Sequence, residues 1–264
     1  MTPSTMTTSD DSLAAGEQPP DTAYYVYGVV LDDSARVPDG MLGVDGAPVE
    51  LISHGDLAAV VGLIALDRPP GRRADLLAHS EVLDTLASTG PVAPVQFGSV
   101  MADREGVVAD LLAPHEAYFG ELLEQLKGRS QFTLRATYHE ESVLAEVVAA
   151  DPEIAALRER TRDLPEDAAY GERVRLGELV ARAMEGKRDY DAVVLLDAVL
   201  PYVAAHAVRG GGGLDHLLDV ALLVDDDRRQ EFEEQLEALA EAVHERIRLR
   251  LVGPGAPYDF VGDA

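Results

Sequence analysis

The sequence predicts an α+β protein built from two small units with a helical segment between them. Three observations carry this prediction. Short segments with β-branched or alternating apolar residues recur in both halves of the chain. Segments with apolar residues three or four apart separate them, as in amphipathic helices. From 140 to about 200 the chain is rich in Ala, Glu, Arg and Leu, which favours helix.

The first strands are predicted at 23–31, 48–53 and 57–65. The segment AYYVYGVVL at 23–31 is apolar on both faces, which is typical of a central strand covered on both sides. The turn HGD at 54–56 joins the other two segments, so we expect them to form a hairpin.

A helix is predicted to follow, ending near Gly90. Its apolar face is expected to carry Leu76, His79, Leu83 and Leu86, which lie three or four residues apart. Gly90 stands where a helix C-terminus favours a left-handed residue. His79, on this apolar face, is expected to be a core-edge histidine bonded to backbone, with a proton-handling role as the alternative.

The stretch PVAPVQFGSV at 91–100 is predicted to be a buried strand with its exit turn. Because proline removes a donor from the ladder, a central strand is expected to begin at or after Pro94. Gly98 allows the chain to turn or another backbone to approach.

A second helix is predicted over about 104–127, with Asp103 as its cap and a kink at Pro114. A strand at 130–138 then alternates apolar and polar residues and is expected to close the first unit. The resulting order β-β-β-α-β-α-β suggests an open α+β sandwich related to the ferredoxin-like plan. The apolar positions of the strand predicted at 130–138 are Phe132, Leu134, Ala136 and Tyr138.

The second half is predicted to be a helical segment followed by a second small α+β unit. Helices are expected from 140 to about 188, whereas YDAVVLLDAVLPYV at 190–203 is ambiguous between helix and strand. Strands near 202–209, 217–225 and 246–252 flank a helix at about 226–243. The apolar stripe of that helix is Phe232, Leu236, Leu239 and Val243.

These elements define the predicted domain organisation. Residues 1–22 are expected to be a disordered tail because they are rich in Thr, Ser, Asp and Pro. An N-terminal α+β domain is assigned to 23–139, a helical linker or hairpin region to 140–200, and a C-terminal α+β domain with an extended tail to 201–264.

The charge of the chain limits its partners. There are 48 acidic and 22 basic residues, for a net charge of −26. Such a surface repels phosphate backbones and anionic lipid headgroups, so neither nucleic acid nor a membrane is expected as a partner. The N-terminus has no Lys or Arg and no apolar core, which argues against a secretion signal. The longest apolar run, at 58–66, is too short to cross a bilayer, so a soluble cytoplasmic protein is expected.

A search for catalytic or metal-binding patterns finds none. The chain has no cysteine, and its seven histidines are not spaced as local zinc ligands. The GGGG run at 210–213 lacks the Lys-Ser or Lys-Thr of a phosphate loop. The DDD run at 225–227 is expected to cap a helix rather than to hold magnesium. No catalytic residue, metal ligand or cofactor is therefore predicted, and an enzyme with a dispersed site stays open as an alternative.

The C-terminal stretch LVGPGAPYDFV at 251–261 carries the most specific pattern. Its glycines and prolines are expected to stop a strand and hold the tail extended. Tyr258 and Phe260 can then return their rings to a surface groove. Two interpretations remain open: a tail docked on its own protein, and a groove or edge offered to a partner.

Four segments in order resemble the gas vesicle proteins of the GvpL/GvpF family. They are Tyr25-Val26-Tyr27-Gly28, Asp56-Leu57-Ala58-Ala59-Val60-Val61, PVQFGSV at 94–100 and the ending at 251–261. The resemblance spans about 23–261. The chain departs from the family pattern at Gln96, where an arginine is common, at Ser99, where a threonine is common, and at Ala256, where a proline is common.

The resemblance implies a non-enzymatic protein of gas vesicle formation, located at the gas vesicle in the cytoplasm. It implies two ferredoxin-related α+β domains joined through helices. Its expected role is that of a minor component or assembly factor that contacts the apolar shell subunit and other accessory proteins. A small-molecule-binding regulatory protein is the alternative supported by fold plan alone. The residues assigned to partner binding or to the motifs are Tyr25, Tyr27, Gln96, Phe97, Gly98, Pro257, Tyr258 and Phe260.

Overall fold

The computed structural model describes residues 22–33, 36–66, 68–210 and 216–262. In this part of the chain, nine strands form two antiparallel sheets. The first sheet has the order β2-β3-β1-β4, with β5 also paired to β1, and the second has the order β7-β8-β6-β9. The strands are β1 (Thr22–Leu31), β2 (Val49–His54), β3 (Leu57–Ala65), β4 (Val92–Pro94), β5 (Val100–Met101), β6 (Arg129–Tyr138), β7 (Ala205–Val208), β8 (His216–Asp225) and β9 (Ile247–Gly255).

Seven α-helical segments accompany the sheets in the described ranges, so the predicted α+β class is confirmed. The ferredoxin-like relationship of the two units and the domain boundaries stay predictions. The predicted tail lies outside the described residues, except for Thr22, and so do residues 211–213 of the GGGG run. The helices are α1 (Arg73–Ala87), α2 (Arg104–Gly106), α3 (Glu116–Leu126), α4 (Glu140–Ala150), α5 (Pro152–Thr161), α6 (Glu166–Val199) and α7 (Arg229–Val243).

Strand β1 is buried on both sides, as its doubly apolar sequence predicts. Tyr25 and Tyr27 are fully buried in a core shared with α1. Val26 and Val29 pack on the other side of the sheet, in a core shared with α3. The β2–β3 hairpin forms as predicted, with Leu57 paired to His54.

The strand within PVAPVQFGSV begins earlier than predicted. β4 ends at Pro94 instead of beginning there, and it lies at the end of the sheet order, next to β1. Proline is tolerated in an edge strand because one side of the strand makes no ladder hydrogen bonds. Gly98 has a φ of 90°, so the predicted turn after the strand is confirmed.

Helix α1 departs from its prediction in two respects. Leu76 is 49% exposed, while His79, Leu83 and Leu86 form the buried face as expected. The helix ends at Ala87, and Gly90 is not among the described glycines with a positive φ. The periodicity was compatible with Leu76 on the core face, but the helix meets the sheet on a narrower face that also buries Asp75.

The stretch from Arg104 to Leu126 is helical throughout but irregular. Asp103 accepts a hydrogen bond from the Gly106 amide at 2.7 Å, which confirms the predicted cap. A π-helical segment at Val107–Leu112 and a 3-10 turn at Ala113–His115 separate α2 from α3. The predicted break at Pro114 is therefore confirmed, since proline removes one helical hydrogen bond.

Strand β6 does not close the first unit. It pairs with β8 and β9 and lies inside the second sheet. The four predicted apolar positions are buried, and Gln131 is buried as well. Alternation indicates which face of a strand is buried but leaves its partner strand undetermined. The strand at 130–138 was therefore predicted correctly but was assigned to the wrong sheet.

The second core lies between the second sheet and helices α6 and α7. Phe132 of β6 and Phe232 of α7 meet there with ring centroids 5.4 Å apart. The ambiguous segment at 190–203 is helical up to Val199 and forms the end of α6, with Leu195 buried. No helix among the described residues is both long enough and apolar enough to span a membrane.

Candidate partner-binding groove

The motif segments that lie far apart in the sequence meet around one histidine. His79 of α1 is 1% exposed and is surrounded by the rings of Tyr25, Tyr27, Phe97 and Tyr258, which we call the His79 cluster. Its ring centroid lies 5.4 Å from that of Phe97 and 6.2 Å from that of Tyr258. Strand β1, the turn after β4, helix α1 and the C-terminal tail are thus held by one set of aromatic contacts.

Tyr25 links the strand, the turn and the helix by hydrogen bonds. Its hydroxyl oxygen accepts the Gly98 amide proton, with the two heavy atoms 3.1 Å apart. The hydroxyl lies 3.0 Å from Nδ1 of His79 and is then free to donate its own proton there. His79 was expected to bond to backbone; its partner is instead a tyrosine hydroxyl supplied by the first strand.

This arrangement keeps His79 uncharged. Burial lowers the pKa of His79 from the ordinary 6.5 to about 4, because a buried imidazolium loses its hydration. If Nδ1 accepts from Tyr25, the neutral ring carries its proton on Nε2, which has no hydrogen-bond partner among the described residues. The histidine therefore acts as a packing group with one hydrogen bond and one uncompensated buried N–H.

Tyr27 fixes the other side of the cluster. Its hydroxyl accepts the Val44 amide proton at 2.8 Å, and burial raises the pKa of this phenol to about 12. A Cβ atom at Gly43 would lie 1.9 Å from the Tyr27 hydroxyl oxygen, so the ring occupies the space of a missing side chain. Gly43 is thus needed because any larger residue would collide with Tyr27.

The C-terminal tail is fastened at two points. The Ala256 amide donates to the Asp84 carboxylate of α1 at 2.9 Å. Asp259 pairs with Arg209 and accepts from the Gln131 side chain, and its own amide donates to Gln131. Burial alone would raise the pKa of Asp259, but Arg209 outweighs this effect and lowers it. The tail is therefore bonded to both α1 and the second sheet.

The fastened tail forms one wall of an open groove, which we call the tail groove. Its other walls are the turn after β4 and the helical stretch that carries Leu111 and Phe119. The groove has a volume of about 490 Å³ and a mixed lining in which polar and apolar surface are about equal. Its lining residues are Pro94, Val95, Gln96, Ser99, Leu111, Phe119, Tyr258, Val261 and Gly262.

The predicted motif residues occupy three different positions relative to this groove. Gln96 and Tyr258 line it, and both are exposed, Tyr258 by 40%. Tyr25 and Tyr27 are fully buried behind it, so they support the surface without reaching it.

The other four motif residues are less accessible. Phe97 is half-buried in the His79 cluster and Gly98 forms the turn. Pro257 is buried, and Phe260 packs against the first core. The tail is therefore docked on its own protein, and its use as a partner surface stays a prediction.

The structure offers no evident metal site in the described residues, where no group of three or more potential His, Asp or Glu ligands comes together. The DDD run does not cap α7 as expected. Asp225 pairs with Arg129, and Asp226 accepts from the Ser130 hydroxyl. These carboxylates join strand β6 to the start of the helix instead.

Sequence reasoning missed the residues that hold the tail in place. Asp84, Arg209 and Gln131 belong to three elements remote in sequence, and nothing in their spacing relates them to Asp259. One signal was available in the sequence, since His79 is a polar residue on an apolar helical face. It did not reveal that four aromatic side chains surround this histidine.

Comparison with known proteins identifies similar chains over nearly the whole length. A family model described as "Gas vesicle synthesis protein GvpL/GvpF" matches residues 23–262. Gas vesicle protein F of Streptomyces sp. (strain CB03234) is 33% identical over 239 residues, covering 90% of this chain and 98% of that protein. Gas vesicle protein L of the same organism is 29% identical over 257 residues, covering 92% and 94%.

Solved structures show the same fold. The crystal structure of the gas vesicle protein GvpF from Anabaena sp. PCC7120 matches with a TM-score of 0.78 at 21% sequence identity. The match covers 92% of this chain and 99% of that one. The structure of GvpF from Microcystis aeruginosa matches with a TM-score of 0.72.

Proposed function

The chain belongs to the GvpL/GvpF family of gas vesicle synthesis proteins, and from this premise we propose that it is an assembly factor, or minor structural component, which binds the apolar shell subunit. Family membership supports a role in gas vesicle formation. The finer proposal is that the tail groove receives an apolar segment of the shell subunit and that other accessory proteins bind elsewhere on the same chain.

The physical need for such a factor follows from the shell itself. A subunit that lines a gas space must present a large apolar surface, and such surfaces aggregate in water before they are assembled. A protein with a net charge of −26 stays soluble while it holds an apolar segment. The proposed location is accordingly the gas vesicle and the cytoplasm in which it is built.

One observation supports the choice of the tail groove above other surfaces. Gln96 of the PVQFGSV segment and Tyr258 of the C-terminal ending line the same groove, although 162 positions separate them in the numbering. A tyrosine that is 40% exposed presents an apolar ring and a polar tip, which is the side chain most suited to a partner contact. The buried Tyr25 and Tyr27 hold the walls of the groove.

The test is capture of purified shell subunit by the immobilised full-length chain. Tyr258→Ala is expected to reduce capture by about tenfold, as for loss of an aromatic anchor worth about 1.4 kcal/mol or more. Tyr190→Ala serves as the matched control, because Tyr190 is 70% exposed on α6, away from the groove. Capture that is undiminished by Tyr258→Ala, or equally reduced by the control, would reject the groove as the binding site.

We also propose that the protein performs no catalytic step and needs no cofactor. GvpL/GvpF is a family of gas vesicle proteins and not a known enzyme family. The buried, neutral His79 supports this proposal, because its tyrosine partner and aromatic neighbours suit packing better than proton transfer. Gas vesicle formation is compared in cells that express Tyr258→Phe and in cells that express Tyr258→Ala. Normal vesicles with Tyr258→Phe alone would show that the Tyr258 ring suffices for vesicle formation without its ionisable hydroxyl.

A further inference from the structure

Helix α6 carries an apolar stripe whose first part, from Tyr170 to Ala181, is exposed in the described part of the chain. Tyr170 is 71% exposed and Val174 is 45% exposed. Together with Gly177, Ala181 and Met184 they recur at intervals of four, three, four and three residues, so they form one stripe along the helix. From the first to the last, the stripe is about 21 Å long at 1.5 Å per residue.

Over the first half of α6 the stripe is not the face that packs on α5, whereas Met184 at its end is partly buried against the second core. Ala169 is fully buried, and α5, which carries the buried Ile154 and Leu157, packs along α6. The first half of α6 therefore has apolar residues on two faces, of which one is used internally. A surface helix normally needs one apolar face, so the second is unexplained by the fold of this chain.

At its C-terminal end the stripe enters a groove between α4 and α6, which we call the α4–α6 groove. The groove has a volume of about 580 Å³, and apolar atoms predominate in its lining. Val143 at its base is 1% exposed, so the floor is part of the second core. The lining residues are Tyr138, Glu140, Val143, Leu144, Gly177, Val180, Ala181, Met184, Glu185 and Arg188.

The shape of this surface fits a helix. Gly177 and Ala181 have little or no side chain, and a Cβ atom at Gly177 would meet nothing within 4 Å, so a partner backbone can approach closely. Met184 is unbranched and adapts to irregular apolar neighbours. An amphipathic helix lying in such a groove presents anchors at positions i, i+3 or i+4, and i+7.

The exposed carboxylates on the rim of the groove favour a cationic partner, although the lining also includes Arg188. Glu140 and Glu185 are exposed on its rim, and Glu178 lies seven residues before Glu185 on the same flank of α6. None of these three carboxylates forms an ion pair with a described residue. The net charge of −26 also attracts a cationic partner over longer distances.

We propose that the α4–α6 groove is a docking site for an amphipathic helix of another protein, with an apolar stripe flanked by Lys or Arg. This site is separate from the tail groove and does not depend on the shell-subunit proposal. A second copy of this chain fits less well, because two chains of charge −26 repel each other.

The experiment uses the full chain and a fluorescein-labelled peptide of about 21 residues with Leu along one stripe and Lys on both flanks. Gly177→Phe places a ring at the groove, and a Cβ atom at this position would meet nothing within 4 Å. Gly186→Phe is the matched control, since Gly186 also has nothing within 4 Å but lies on the opposite face of α6. Binding is measured by fluorescence anisotropy at about 0.15 M salt.

Gly177→Phe is expected to weaken binding by at least about tenfold, and Gly186→Phe by less than about twofold. The double variant Glu178→Lys with Glu185→Lys is expected to weaken it by about tenfold. Its control, Glu121→Lys with Glu237→Lys, changes the net charge equally at distant sites. If the two charge variants behave alike, or if a peptide with Glu in place of Lys binds equally well, the proposal is wrong.

Two further measurements keep the result decisive. Unfolding of each variant is followed by circular dichroism. If Gly177→Phe fails to fold, Val174→Ser replaces it. Unchanged peptide binding by folded Val174→Ser protein would also overturn the proposal. Sedimentation velocity at low and high concentration tests self-association. A dimer that Gly177→Phe abolishes would overturn it as well, because the groove would then belong to a second copy of the chain.

Discussion

Acidification is expected to destabilise the protein through His79, and the size of the effect can be worked from the site. In the folded chain burial lowers the pKa of this histidine from 6.5 to about 4. The unfolded state therefore binds more protons than the folded state between these two values. The contribution of the neutral imidazole is fully present above about pH 6.5 and is lost as the pH falls toward about 4.

The expected loss is a substantial fraction of the free energy of unfolding of an ordinary domain, which is about 5–15 kcal/mol. The difference between these pKa values corresponds to at most about 3 kcal/mol. Between about pH 7.5 and about pH 4.5, linkage gives a loss of about 2–3 kcal/mol from this one group. Carboxylates also titrate in this range, so the parent protein alone cannot isolate the histidine.

The assay compares the free energy of unfolding in urea at both pH values for the parent and for His79→Leu. The variant lacks the titrating ring, so its acid-induced loss of stability is expected to be smaller by about 2–3 kcal/mol. Tyr25→Phe is the control, because it removes the same hydrogen bond but keeps the imidazole and is expected to retain the acid sensitivity. Nuclear magnetic resonance titration of His79 gives its pKa directly.

Two results would refute the reasoning. One is equal acid sensitivity in the parent and in His79→Leu. The other is a measured pKa of His79 near its ordinary value, which would mean that water or another partner reaches the ring in the folded state.

Three other predictions concern stability and are tested by urea or thermal unfolding. Gly43→Ala is expected to lower the free energy of unfolding by about 2 kcal/mol, because the new Cβ would overlap the buried Tyr27 hydroxyl. Its control, Gly120→Ala, lies in open space on α3 and is expected to raise the free energy of unfolding by about 0.5–1 kcal/mol. A Gly43→Ala protein more stable than the Gly120→Ala protein would contradict this prediction. Asp75→Asn is expected to lower the free energy of unfolding by about 3 kcal/mol. Asp75 is 3% exposed and binds Arg68 through both carboxylate oxygens, and Arg68 lowers its pKa. A loss below about 1 kcal/mol would show that the ion pair contributes little to stability. Asp84→Ala is expected to cost about 1 kcal/mol and to speed amide hydrogen exchange at Ala256, and unchanged exchange there would show that the tail is held without this bond.

Most local structure could be predicted from the sequence because it depends on near neighbours. The doubly apolar β1, the HGD hairpin, the Asp103 cap and the Pro114 break all follow from local geometry. The end of α1 was missed, since a glycine near a helix end permits a left-handed cap but does not require one. The start of β4 was missed because an edge position removes the penalty that a proline carries elsewhere.

The candidate grooves could be predicted only in part. Tyr258 was identified from its aromatic side chain in a Gly/Pro-rich ending, and Gln96 from the PVQFGSV segment. Their meeting in one groove depends on Asp84 and Arg209, which hold the tail from two remote elements. The α4–α6 groove was not predicted at all, because periodicity reveals that a helix has an apolar face but not whether that face is covered.

The sequence by itself determined the α+β class, most of the helices and strands, and the family signatures, because backbone preference and apolar periodicity act over a few residues. Only the tertiary structure decided which sheet receives β6, how the tail closes around His79, and which apolar faces stay open. Those outcomes depend on contacts between residues far apart in the chain, where many pairings satisfy the same local pattern and packing selects one.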